Sequence, residues 1–163
     1  MVTNQKIIDK LIQEGQKTID LFKSLNETDW TILVYSEKMD WKVRDLLAHF
    51  ISAEKSFLVL FDNIRLYNLG APEGFSIDTF NNLQVIKMKG ISSSDLIGLF
   101  QETRAQTVQW MNERTDIEME KKGKHPALGE AKIIDMVKMI YLHNQLHLRD
   151  LQLVISQKNR NTK

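Results

Sequence analysis

The chain has 163 residues, 42% hydrophobic and 26% charged, with a net charge of +1, which excludes a disordered chain and leaves no global field to gather nucleic acid or an anionic membrane. Its length suits one domain, 1–163, whose core needs no staples. The absence of cysteine excludes disulfides, thiolate metal sites and a cysteine nucleophile, and fits a reducing cytosol.

The N-terminus opens an amphipathic helix rather than a secretory signal, and no apolar run is long enough to span a bilayer. The expectation is a soluble, cytoplasmic protein. From Asn4 to Leu25, Ile7, Ile8, Leu11, Ile12, Ile19 and Phe22 recur at helical spacing, with Glu14 and Lys17 placed on the opposite side. A connector from Asn26 to Asp40 separates Trp30 from Trp41. The second helix, Lys42 to Tyr67, carries Val43, Leu46, Leu47, Phe50, Ala53, Phe57, Leu60, Phe61 and Ile64 on its apolar face. Gly70, Pro72 and Gly74 end it, and a short helix is expected over Asp78 to Met88.

Ser92 and Asp95 resemble a capping box that opens a third long helix, which fades near Arg114. Residues from Thr115 to Gly129 are charged and then turn-like, and Glu118 to Lys124 is read as a solvated loop. The last helix runs from Lys132 to Gln157, with Ile133, Val137, Ile140, Leu148, Leu151 and Ile155 facing inward. No stretch shows the alternation of a strand. Four long amphipathic helices in one domain predict an all-α protein, a four-helix bundle.

Of the four histidines, His143 and His147 stand one helical turn apart, on a stripe with Met136, Ile140, Leu151 and Val154. His49 lies on the second helix beside the small residues Ser52 and Ala53. Facing side chains of a bundle commonly build a core metal site. Three imidazoles from two helices would make such a site and leave coordination positions open, since structural zinc sites use four protein ligands. Imidazole suits zinc, nickel, copper or iron, so the divalent metal is not chosen by residue type. The alternative is that all three are core histidines satisfied by hydrogen bonds.

At these residues the sequence resembles the DinB-like superfamily, which includes the N-terminal domain of mycothiol-dependent maleylpyruvate isomerase and related thiol transferases. Trp41-Lys-Val-Arg-Asp-Leu-Leu-Ala-His49-Phe resembles its second-helix signature, and His143-Asn-Gln-Leu-His147-Leu-Arg-Asp its fourth. His125-Pro-Ala-Leu-Gly129-Glu130 fits the pattern ahead of that helix. The resemblance implies a DinB-like bundle, often a homodimer, whose divalent metal is held by His49, His143 and His147. It also implies a low-molecular-weight thiol as cosubstrate, held by the metal as thiolate and joined to an electrophile. Lys42 and Lys132 depart from the pattern, where relatives carry a capping Ser or Thr, and Asp40 and Glu130 are expected to stand in. The chain ends soon after the fourth helix, with no counterpart of the C-terminal domain of the full isomerases, which turns the expectation from isomerisation toward conjugation.

The expected function is therefore a metal-dependent thiol S-transferase acting on small electrophiles. A metal-dependent hydrolase and a non-enzymatic small-molecule-binding stress protein are the alternatives. The partner expected is a small-molecule substrate, with no nucleic acid and no membrane. His125, ahead of Pro126, is a candidate for touching substrate at a pocket mouth or a plain surface-loop residue. Trp30, Trp41 and Trp110 are pocket or packing residues. Asp150 is a candidate to orient a ligand imidazole, or the acid of a salt bridge.

Overall fold

The computed structural model describes residues 2–37 and 39–161. Four long helices carry the fold: α1 (Val2–Lys23), α2 (Val43–Tyr67), α4 (Ser93–Asn112) and α6 (Ile133–Asn161). A shorter α3 (Ile77–Lys87) and a single turn, α5 (Asp116–Met119), lie between them. α1 and α2 each pack on both α4 and α6, so the two helices adjacent in sequence sit diagonally across the bundle. Among the described residues no helix is long and apolar enough to cross a membrane.

The predicted helices stand where their periodicity puts them, because each buries one apolar stripe. Ser92 caps α4 by accepting the Asp95 N–H (3.1 Å), and its hydroxyl donates to the Asp95 carboxylate (2.6 Å). Two antiparallel ribbons were not expected from the sequence. Leu33–Tyr35 (β1) pairs with Trp41–Lys42 (β2), and Lys122–His125 (β3) with Gly129–Lys132 (β4). Strands of two to four residues are too short to show a period. Most of the run read as a solvated loop thus belongs to α5 and β3, and Met119 within it is fully buried.

Two corrections fall on α1. Ile12, one residue and so 100° beyond the core residue Leu11, is 52% exposed, whereas Glu14 is 6% exposed. Burial raises the Glu14 pKa, but hydrogen bonds from Lys17, Gln145 and Lys10 outweigh it and bring the carboxyl to about 2.

The core divides into two apolar clusters, one at each end of the bundle. Between them, at the middle of every long helix, lies a buried polar knot. Arg104 of α4 donates through Nε and Nη2 to the carboxylate of Glu54 on α2 (2.7 and 3.0 Å), and through Nη1 to the Leu11 carbonyl on α1 (2.7 Å). With the Asn144 amide of α6 turned so that its oxygen meets a donor and its nitrogen an acceptor, Oδ1 accepts from Arg104 Nη2 (3.1 Å) and Nδ2 donates to the Ile140 carbonyl (3.2 Å). Gly15 makes the passage possible, since a Cβ there would lie 3.0 Å from Arg104 Cγ and Nη1.

Arg104→Ala leaves Glu54 charged and unpaired in the interior. It should cost about 3–5 kcal/mol in urea unfolding at pH 7, while Glu54→Leu with Arg104→Met recovers most of the loss. Glu14 supplies a pH test. The unfolded chain binds its proton near pH 4.5 and the folded chain near 2, so the stabilisation is complete above about pH 4.5 and fades as pH falls toward 2. Glu14→Gln should flatten the stability–pH curve across that window; an unchanged slope would show that Glu14 titrates alike in both states.

Candidate metal centre

The two halves of the site are set by the starts of α2 and α6. The Val43 N–H donates to the Ile32 carbonyl (2.9 Å), locking β1 onto the entry of α2. The Lys42 N–H donates to the Asp45 carboxylate (2.9 Å), so the acid that compensates for a lysine cap is Asp45 rather than Asp40. At α6 the Ile133 N–H donates to the Lys121 carbonyl (2.9 Å), so the residue just ahead of β3 supplies that partner rather than Glu130.

From these helices His49, His143 and His147 converge, their ligand atoms within 4.8 Å of one another. His143 Nε2 lies 3.0 Å from both His49 Nε2 and His147 Nε2. Burial holds all three pKa values below the ordinary imidazole range. His49 falls well below it through desolvation and then through the charges of His143 and His147; His143 falls to about 4 through desolvation and then His147. His147 falls through desolvation alone, opposed by Asp150. The rings are therefore neutral near pH 7, each with one lone pair to give.

The tautomer of His147 is set by Tyr35, a residue of β1 that the sequence reading passed over. Tyr35 Oη lies 2.7 Å from an Asp150 carboxylate oxygen and 2.7 Å from His147 Nδ1. The carboxylate only accepts, so the single phenol proton goes to Asp150, and His147 Nδ1–H donates to the phenol oxygen. That leaves the His147 Nε2 lone pair facing His143 and His49. Asp150 does act behind a histidine, but through Tyr35. Desolvation and then the Asp150 hydrogen bond raise the Tyr35 pKa, which keeps the phenol protonated. His49 has no such partner among the described residues, where its buried Nδ1 is unpaired; its ring rests against Trp41 (centroids 4.9 Å) and Phe50 (6.2 Å).

With the His147 proton on Nδ1, the two 3.0 Å contacts of His143 Nε2 share at most one proton among three nitrogens. A divalent cation accepts all three lone pairs, and this all-imidazole set suits zinc and its neighbours. The residues fit such an ion.

Two cavities reach these histidines. One, about 450 Å³, is lined by apolar groups that include Ala53, Phe57, Leu60, Phe75, Phe80 and Met139. The other, about 470 Å³, is lined by Tyr35, Ser36, Glu37, Trp41, Asn82 and His147 among others. His49, His143 and Asn81 border both. α3 roofs them, with Ile77 and Phe80 over the first and Asp78 and Asn82 over the second.

His125 is neither at a mouth nor in a surface loop. It ends β3 at 4% exposure, on the wall of the apolar cavity. Trp41 lines the polar cavity, whereas Trp30 packs on Phe22 in the core (5.5 Å) and Trp110 donates to the partly exposed Asp62 (3.1 Å).

Tyr35→Phe frees His147 to change tautomer and should weaken zinc affinity about 10- to 100-fold. His49→Ala should abolish stoichiometric uptake. Competition with a chromogenic chelator reads both, and unchanged affinity in both variants would remove the site.

No family model and no curated protein matches the sequence. Among solved structures the chain is similar to YfiT from Bacillus subtilis, described as a probable metal-dependent hydrolase with an unusual four-helix bundle topology. The TM-score is 0.77 at 14% identity, over 96% of this chain and 87% of that one. It is also similar to the mycothiol-dependent maleylpyruvate isomerase (TM-score 0.74, 12% identity), covering 91% of this chain but only 60% of that one. An uncharacterised protein from Escherichia coli UTI89 aligns with TM-score 0.64 at 16% identity, over 97% of this chain and 92% of that one. The fold shared with these proteins is a four-helix bundle.

Proposed function

We propose that the protein is a metal-dependent transferase that joins a low-molecular-weight thiol to a small electrophile. The observation that carries the reading is the pair of unlike cavities bordered by the same two histidines, His49 and His143. A polar cosubstrate and an apolar acceptor can then approach one centre from separate spaces, which supplies the proximity a bimolecular reaction needs. The chain has no cysteine, so the sulfur must come from solution. A divalent ion held by His49, His143 and His147 would supply Lewis acidity that lowers the pKa of an arriving thiol.

The protein's own groups do the rest. Tyr35 and Asp150 fix the His147 ring through two 2.7 Å hydrogen bonds. Trp41 packs against His49 and keeps it from water. Phe57, Phe75 and Phe80 exclude water from the acceptor side, which limits hydrolysis of a reactive electrophile. The isomerase relative, by its name, depends on a thiol, which supports the same reading.

Hydrolysis is the second reading, supported by the description of YfiT. Zinc-loaded protein incubated with a panel of small thiols and an aryl halide or activated ester should consume thiol well above the uncatalysed rate. His49→Ala should lower that rate at least 100-fold. Turnover of the ester at full rate without thiol would instead establish the hydrolase.

A further inference from the structure

His125 carries chemistry that the three-histidine centre does not use. Its Nδ1 accepts hydrogen bonds from the N–H groups of Ala127 and Leu128, each at 3.1 Å. The ring proton therefore sits on Nε2. That atom is buried and has no partner among the described residues. Leaving a buried donor unmade costs about 1–3 kcal/mol, a cost that an acceptor on a ligand in the adjoining cavity would offset.

The position is built, not incidental. His125 closes the β3–β4 register opposite Gly129, whose φ of +70° turns the chain back. The Ala71 N–H donates to the Lys124 carbonyl (2.7 Å), and a Cβ on Gly70 would collide with the Lys124 backbone. The ring lies against Phe57 (centroids 5.3 Å, 25° between planes), and Phe57 stacks on Phe61 (6.0 Å, 5°). Burial also lowers the His125 pKa, so the ring is neutral. No lysine, arginine, aspartate or glutamate lines the cavity among the described residues.

We propose that His125 Nε2–H is the hydrogen-bonding anchor of the apolar cavity, and that this cavity takes a flat, uncharged, mainly apolar molecule with an acceptor oxygen, such as an aryl carbonyl compound. The proposal rests on the transferase reading, for which it names the class of the electrophile. The cavity of about 450 Å³ falls in the range of small-ligand pockets, about 300–1,000 Å³. Its aromatic wall favours a planar ligand, and away from the histidine centre at its edge it offers no charged side chain to pair with an ionic one.

The test uses acetophenone and ethylbenzene, two probes of similar shape of which only the first has an acceptor. Both are titrated by NMR into the full ¹⁵N-labelled chain, with and without one equivalent of zinc. His125→Asn keeps an acceptor for the Ala127 and Leu128 N–H groups but removes the donor at Nε2; His125→Gln keeps a donor there. The ratio of acetophenone to ethylbenzene affinity should fall about two- to tenfold in His125→Asn, the worth of one hydrogen bond, and recover in His125→Gln. In the unaltered chain the Nε2–H resonance should move with acetophenone and not with ethylbenzene. An unchanged ratio with a still resonance, or no binding of either probe, overturns the proposal. Stoichiometric zinc with an unchanged ratio would leave the metal-dependent reading standing and remove this one. No zinc uptake with the expected ratios would do the reverse.

Discussion

The bundle is registered by one buried guanidinium. Arg104 reaches α1, α2 and α6 from α4, each through a hydrogen bond of 2.7–3.1 Å. An ion pair in the interior adds little net stability, because desolvating both charges offsets their attraction. What it supplies here is placement. Leucine and phenylalanine stripes tolerate sliding by a turn, whereas a fork that must meet Glu54, the Leu11 carbonyl and Asn144 together tolerates one register. Glu54 lies five residues beyond His49, and Asn144 is next to His143. The contact that fixes α2 against α6 therefore also fixes one imidazole against the other two.

At the centre itself, burial serves both folding and chemistry. The desolvation that drives the imidazole pKa values down keeps them neutral near pH 7, and only neutral imidazoles can share one cation. Helices alone bring three nitrogens together. The ribbons add what helices cannot: β1 carries Tyr35 across to α6, and β3 carries His125 to the apolar cavity. Two short pieces of extended chain thus set a tautomer on one side of the site and a donor on the other.

The division into two cavities depends on α3. Successive residues of this short helix point to different sides of the histidine cluster, Phe80 to the apolar space and Asn82 to the polar one, with Asn81 between. A helix laid along the boundary separates two environments with one turn of sequence, which is how a small domain can hold two dissimilar molecules beside one centre.

By itself, the sequence determined the helices, because a 3.6-residue apolar period is a local property. It also marked His49, His143 and His147 as inward-facing, since each sits in such a stripe. Tertiary structure decided the rest. Glu14 is buried and Ile12 exposed because the edges of a helical stripe are assigned by neighbouring helices, not by hydrophobicity. Tyr35 carried no signal, for a three-residue strand has no readable period and its partners, Asp150 and His147, lie more than a hundred residues away. The diagonal placement of α1 and α2, the unpaired Nε2 of His125 and the two cavities are relations among distant segments, and a chain reveals those only when packing brings the segments together.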